Sequence, residues 1–258
     1  MKLVMTLERG AEPEIVDASI AFHLNAGVDV VVAPATPADD PATEVLEAYA
    51  RQGYVRPGAE EADWAFSAGP AEFWWPRGGS LKEVLASVPD RYGEVRALVR
   101  EFLWRPDDGS FFADRMVERG AGAGGTSLKS VHRGGSDPVP LRGWYPIEVL
   151  RFPGGPSGGG GDVVVDTRLR DALRALRASE GAEAFALPDG GESRLSFPRP
   201  SVVDDAAYAV EVAALGESDL ARVQKRLEEL EGRLAALERV RPVPKFVRAA
   251  QRLRRRER

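Results

Sequence analysis

The side chains that could do chemistry in this sequence are carboxylates and histidines, because the chain contains no cysteine. That absence excludes a disulfide framework, a thiolate zinc site, an iron–sulfur cluster and a cysteine nucleophile. There are only two histidines, His23 and His132, which excludes an imidazole-rich metal site. If the protein is an enzyme, its general acid or base is expected among its aspartates, glutamates and histidines. Asp40, Glu72 and His132 are singled out because they lie in the sequence blocks at 33–40, 71–76 and 129–133 that are described below.

Each candidate also has a structural interpretation. Asp40 stands directly before Pro41, which predicts it as the N-cap of a helix. Glu72 is a lone carboxylate near Arg77, and one carboxylate is a weak Mg²⁺ site, so a structural ion pair is the simpler expectation. His23 falls on a predicted helix face, which favours a packed side chain over a ligand.

Apolar runs and helical periodicity alternate along the first eighty residues. Residues 3–7 are continuously apolar, as in a strand buried on both faces, and a helix is predicted from Pro13 to Gly27. Strand–helix alternation predicts an α/β fold with a mainly parallel sheet. The other predicted strands are 28–33, 64–67, 94–104 and 147–152, and the other predicted helices begin at Asp40 and cover 81–88 and 166–178.

The C-terminal part is predicted to form a coiled coil. Six aliphatic residues from Leu220 to Leu237 step by three and four positions, which indicates a heptad seam. The partner of this seam is a second copy of the chain, another protein, or the domain itself. The predicted organisation is an α/β domain at 1–178, a Pro/Gly-rich connector at 179–216, a coiled-coil helix at 217–240 and a basic tail at 241–258.

Charge is distributed unevenly. The net charge is −5 overall, but the basic tail carries eight Arg or Lys against one acid, which leaves the rest at −12. An acidic body argues against nucleic-acid binding, whereas the tail could contact an anionic membrane surface. The sequence shows no membrane span and no signal peptide, so a cytoplasmic protein is expected, with the tail able to lie on the inner face of the membrane.

Ordered blocks within residues 1–178 resemble the bacterial glycosyltransferases of family 2. The most specific blocks are EIVDASIAFHLNAGVD at 14–29 and AEFWWP at 71–76. The resemblance implies a GT-A fold, an α/β sandwich that holds a nucleotide-sugar donor at the carboxyl ends of its parallel strands. In that family an Asp-x-Asp pair binds Mg²⁺ or Mn²⁺, which bridges the donor diphosphate.

The resemblance also suggests donor-binding residues. Lys129 and His132 match the family's Lys-x-x-His-Arg block, which implies a place near the donor phosphates; the alternative is a solvated loop. Trp74 could stack on a uracil or sugar ring, although aromatic residues at strand ends more often line the core.

The chain departs from the family at the ligand-binding positions. Gly69 and Ala71 stand where the family has its two metal-binding aspartates, so no metal cofactor is expected. The acidic nucleotide loop is replaced by residues 33–40, and Arg151 stands where the family has a histidine. Losses at ligand positions beside retained core blocks predict a retained fold with impaired catalysis.

Three functions are compatible with these features. The preferred one is a catalytically impaired glycosyltransferase-like protein that acts as a partner in glycan or cell-envelope assembly. The second is an active, metal-independent transferase in which Lys129, His132 and arginines balance the phosphate charge and Asp39, Asp40 or Glu72 supplies the base. The third is a structural protein that dimerises through the seam and lies on the membrane by its tail.

Overall fold

The computed structural model describes residues 1–10, 12–34, 37, 39–121, 127–135, 139–141, 146–156, 162–177, 185–190 and 192–200. The predicted coiled-coil helix and the basic tail lie outside these residues. Among the described helices, none combines the length and the apolar character that crossing a membrane requires.

The described residues form an α/β fold. The helices are α1 Pro13–Asn25, α2 Thr43–Arg51, α3 Leu81–Ala86, α4 Phe112–Arg115 and α5 Arg168–Leu176. The strands are β1 Leu3–Leu7, β2 Val30–Val32, β3 Val55–Arg56, β4 Trp64–Ala68, β5 Glu72–Pro76, β6 Glu94–Glu101, β7 Glu118–Gly120, β8 Leu128–Arg133, β9 Pro140–Leu141, β10 Ile147–Arg151 and β11 Val163–Val165.

Nine of the described strands form one large sheet, in the order β3-β2-β1-β4-β8-β6-β10-β5, with β9 paired to β6. Strands β3, β2, β1 and β4 are parallel neighbours, as are β6 and β10. Strand β8 runs antiparallel between β4 and β6, and β5 runs antiparallel along β10. The remaining strands, β7 and β11, form a two-stranded antiparallel sheet.

The sheet is therefore mixed rather than mainly parallel, which corrects the sequence prediction. The parallel part, from β1 to β4, follows the predicted strand–helix alternation. The antiparallel part consists of β5 and β8, which the prediction did not assign as strands. Segment 128–133 alternates weakly between apolar and polar residues, and it becomes a strand because β4 and β6 offer hydrogen-bonding partners on both sides.

Helix α1 is held against the edge strand β5 by a buried histidine. His23 is fully buried, and its Nε2 accepts a hydrogen bond from the backbone N–H of Trp74 at 3.1 Å. Its Nδ1 therefore carries the proton and donates to the backbone oxygen of Ser19 at 2.7 Å. The expectation of a packed histidine is confirmed.

The core extends beyond the predicted boundary at residue 178. Phe185 and Phe197 are buried in the same hydrophobic cluster as Phe22 and Trp75. Buried Asn25 adds polar anchors: its side-chain amide donates to the backbone oxygen of Ala186 at 3.2 Å, and its oxygen accepts from the N–H of Arg194 at 2.9 Å.

Acidification is expected to destabilise this fold between about pH 6.5 and pH 4 through His23. Burial lowers the pKa of His23 to about 4, so the folded chain leaves the ring neutral where the unfolded chain protonates it. The free energy of unfolding should fall by roughly 3 kcal/mol across that window as the pH is lowered. Urea denaturation at a series of pH values measures this loss.

The matched variant is His23→Gln, because an amide can accept from Trp74 and donate to Ser19 without titrating. Its stability should depend less steeply on pH than that of the wild type between pH 6.5 and pH 4. Equal slopes for the two proteins would show that His23 does not control this acid sensitivity.

Candidate functional site

The carboxyl ends of the parallel strands β1, β4, β6 and β10 meet at one edge of the large sheet, which we call the carboxyl edge. Strands β5 and β8 run in the opposite direction, so their first residues lie at this same edge. This arrangement brings Glu72, the first residue of β5, together with Lys129, the second residue of β8. These two predicted candidates are in direct contact.

Glu72 accepts hydrogen bonds on both carboxylate oxygens. Its Oε2 accepts from the Lys129 ammonium and from the backbone N–H of Gly69, the latter at 2.8 Å. Its Oε1 accepts from the Arg151 guanidinium at 2.8 Å. The predicted structural ion pair is present, but its partners are Lys129 and Arg151 rather than Arg77.

Two exposed glutamates extend this ion pair along the edge. Arg151 also contacts Glu101, at the end of β6, at 3.0 Å, and Lys129 lies 3.9 Å from Glu8, directly after β1. We call Glu8, Glu72, Glu101, Lys129 and Arg151 the edge cluster. Its three carboxylates and two cations connect the ends of β1, β5, β6, β8 and β10.

The edge cluster keeps Glu72 ionised. Burial raises the pKa of Glu72, but the hydrogen bonds from Lys129 and the Gly69 N–H and the charge of Arg151 outweigh burial, and the pKa lies below its usual range. Glu72 is therefore a charge-balanced carboxylate near neutral pH and is poorly suited to act as a general base.

The divalent cation of the glycosyltransferase resemblance does not fit these residues. A Mg²⁺ or Mn²⁺ site needs several free carboxylate or carbonyl oxygens. Gly69 and Ala71 supply no carboxylate, and both oxygens of Glu72 are taken by protein donors. In the described part of the chain, no group of three or more His, Cys, Asp or Glu side chains could hold a metal ion.

Trp74 is not available as a stacking platform, which corrects its assignment as a donor-binding candidate. The side chain is completely buried, and its ring centroid lies 4.5 Å from that of Phe66. Its Nε1 has no hydrogen-bond partner among the described residues. Trp74 therefore lines the core, which is the alternative that the sequence analysis gave for it.

His132 does not share a site with Lys129. Side chains alternate between the two faces of a strand, so residues three positions apart on β8 project from opposite faces. His132 is exposed and lies opposite Glu94 of β6, whose carboxylate accepts a hydrogen bond from Ser130 at 2.8 Å. The resemblance-based placement of both residues beside donor phosphates is not supported by this geometry.

Asp40 lies in a cleft at the carboxyl ends of β1 and β2, which it lines together with Arg9, Pro34 and Glu8 of the edge cluster. Helix α2 begins at Thr43 with Ala42 as its N-cap, so the predicted N-cap role of Asp40 is wrong by two residues. Asp40 instead closes the preceding turn, because its Oδ1 accepts from the backbone N–H of Ala42 at 2.9 Å.

A second ion cluster lies on the opposite face of the sheet, and the sequence analysis did not predict it. Glu148 of β10 is 2% exposed. It contacts Arg100 and Arg168 at 2.8 Å and Arg77 at 3.8 Å. Burial raises the pKa of Glu148, but the charges of Arg168 and Arg100 outweigh burial and hold it below its usual range.

Arg168 joins this buried cluster to the second sheet. It contacts Asp166 at 2.7 Å, and Asp166 in turn contacts Arg119 of β7 at 2.8 Å. Hydrogen bonds and charge from the two arginines outweigh burial and lower the pKa of Asp166 to about 2. The cluster ties β6, β7, β10 and α5 together, which indicates a structural role.

For each of the two ion clusters, one residue in the sequence indicated that a cluster was present. Arg151 was already marked as a departure from the family, and it is a direct partner of Glu72. Glu148 interrupts the apolar segment 147–150, and a charge inside a buried strand requires charged partners. The partners themselves were not predictable, because they lie 20 or more positions away in the chain.

In comparisons with known proteins, the chain matches no family model and no curated protein. The glycosyltransferase resemblance therefore stays an expectation that rests on the sequence blocks.

Proposed function

We propose that this chain is a GT-A-like protein with impaired glycosyltransferase chemistry that acts as a partner in glycan or cell-envelope assembly. The observation that carries the proposal is the edge cluster. Glu72 is the one acid left in the block where the resemblance calls for metal-binding aspartates, and Lys129 and Arg151 neutralise it. The parallel strand order β3-β2-β1-β4 with crossover helices is compatible with the proposed fold.

An active, metal-independent transferase is the second candidate, because Lys129 and Arg151 place two cations at this edge. The charges of these two cations are already balanced by Glu8, Glu72 and Glu101. A diphosphate would therefore have to displace carboxylates from both cations. The edge cluster therefore favours impaired catalysis over phosphate binding.

The contacts that we propose with partners are inferred from the sequence alone. We propose that the Leu220–Leu237 seam pairs with a second copy or another protein, and that the basic tail contacts anionic lipid. These features also fit the third candidate, a structural dimer on the inner face of the membrane, which needs no nucleotide site.

Calorimetric titration with UDP, GDP and their sugars, with and without Mn²⁺, tests the proposal. We expect no Mn²⁺-dependent binding, because Glu72 has no oxygen free for a metal. Binding that requires Mn²⁺ would contradict the proposal. Mn²⁺-independent binding that is lost in Lys129→Met but kept in Lys82→Met, a lysine paired with Asp29 elsewhere, would favour the active transferase.

A further inference from the structure

We infer that the Lys129 ammonium, one of the two cations of the carboxyl edge, holds the 69–72 turn in place, as a bound metal ion would. The inference deepens the proposed function, since it concerns the same edge, but it rests on contacts within the protein and needs no nucleotide.

The first step is the geometry of the turn between β4 and β5. Glu72 donates its backbone N–H to the backbone oxygen of Gly69 at 3.0 Å, and its carboxylate accepts from the Gly69 N–H at 2.8 Å. The side chain of Glu72 therefore closes its own turn. Two hydrogen bonds thus close the turn, and the second is made only while the carboxylate points back toward Gly69.

The second step is the charge that fixes the carboxylate. Residue Glu72 is 7% exposed, so its ionised form requires close positive partners. Arg151 occupies Oε1, whereas Lys129 shares Oε2 with the Gly69 N–H. Lys129 is thus the cation on the oxygen that closes the turn.

The third step is the position of Lys129 among several strands. Its stem crosses from β8, and its ammonium lies near both Glu72 and Glu8, which belong to different strand ends. A compact cation that pairs with carboxylates from separate segments holds those segments together, as a bound metal ion holds a loop. Lys129 is a positioning residue in this sense, since it acts through Glu72.

Removal of the ammonium should leave a vacancy that an external amine can fill. We expect Lys129→Ala to speed hydrogen exchange of the Gly69 amide by roughly tenfold or more, because the buried carboxylate loses one of its two charged partners, the one on the oxygen that accepts from Gly69. Propylammonium, which resembles the deleted part of the side chain, should restore much of the protection. Tetramethylammonium has the same charge but no N–H donor, and it should not restore protection.

Three further variants make the test specific. Lys129→Met should also speed exchange but should resist rescue, because its side chain fills the space of the lysine stem. Lys129→Arg should keep protection, and Lys82→Ala should leave Gly69 unaffected. These measurements are made by NMR on the full chain without metal or nucleotide.

Unchanged Gly69 exchange in both Lys129→Ala and Lys129→Met would overturn the inference. Faster exchange that propylammonium fails to reverse would also overturn it, since the lysine would then act by packing alone. Neither result depends on whether the protein binds a nucleotide sugar, so this inference and the proposed function can fail separately.

Discussion

Glu148→Gln is expected to lower the free energy of unfolding by about 3–5 kcal/mol, although the two side chains have nearly the same shape. Glu148 is buried between Arg77, Arg100 and Arg168, and Arg100 is itself 6% exposed. The amide removes the negative charge that balances these guanidiniums in a region with little water. Urea denaturation, which gives the midpoint and slope of unfolding, measures the loss.

The matched control is Glu101→Gln. Glu101 also pairs with an arginine, Arg151 at 3.0 Å, but its side chain is 64% exposed. Solvent screens this pair, so we expect a loss of about 1 kcal/mol or less. Equal, small losses in both variants would show that the Glu148 cluster does not contribute as a buried charge network.

Trp74→Ala should cost about 3–5 kcal/mol of stability, because the indole is fully enclosed and packs on Phe66. Trp74→Phe keeps an aromatic ring in this space and removes the Nε1–H group, which has no partner among the described residues. We therefore expect the phenylalanine variant to lose clearly less stability than the alanine variant, because it leaves a smaller cavity. Chemical denaturation of both variants provides the comparison.

This pair of variants also separates a core residue from a ligand platform. A stacking platform would be open to solvent, and its removal would weaken ligand binding while leaving stability almost unchanged. A near-wild-type unfolding midpoint for Trp74→Ala would therefore contradict the placement of this residue in the core.

Local sequence patterns predicted the parallel part of the fold well. The apolar run at residues 3–7 forms β1, and Pro13 and Gly27 bracket α1 as expected. Gly27 has a φ of +109°, a conformation that glycine adopts without a Cβ penalty. Signals of this kind lie within a few neighbouring residues, so they can be recognised without knowledge of the tertiary structure.

The antiparallel strands and the edge cluster depend on contacts that are distant in sequence. Segment 128–133 forms a strand that pairs with β4 on one side and β6 on the other, and this placement turns Lys129 toward Glu72 and His132 away from it. The 57-residue separation between Lys129 and Glu72 carries no periodic signal. The sequence therefore identified both residues as candidates but could not pair them.

The most direct test of the charge-balanced edge is an electron paramagnetic resonance titration of Mn²⁺ with the full chain and an excess of UDP-sugar. We expect the protein to leave the concentration of free Mn²⁺ at the value set by the nucleotide sugar alone. The reason is that Lys129, Arg151 and the Gly69 N–H occupy the oxygens of Glu72. If the chain instead bound Mn²⁺ stoichiometrically, and if Glu72→Gln abolished that binding, the charge-balanced edge would be contradicted. Such a result would indicate a working metal site.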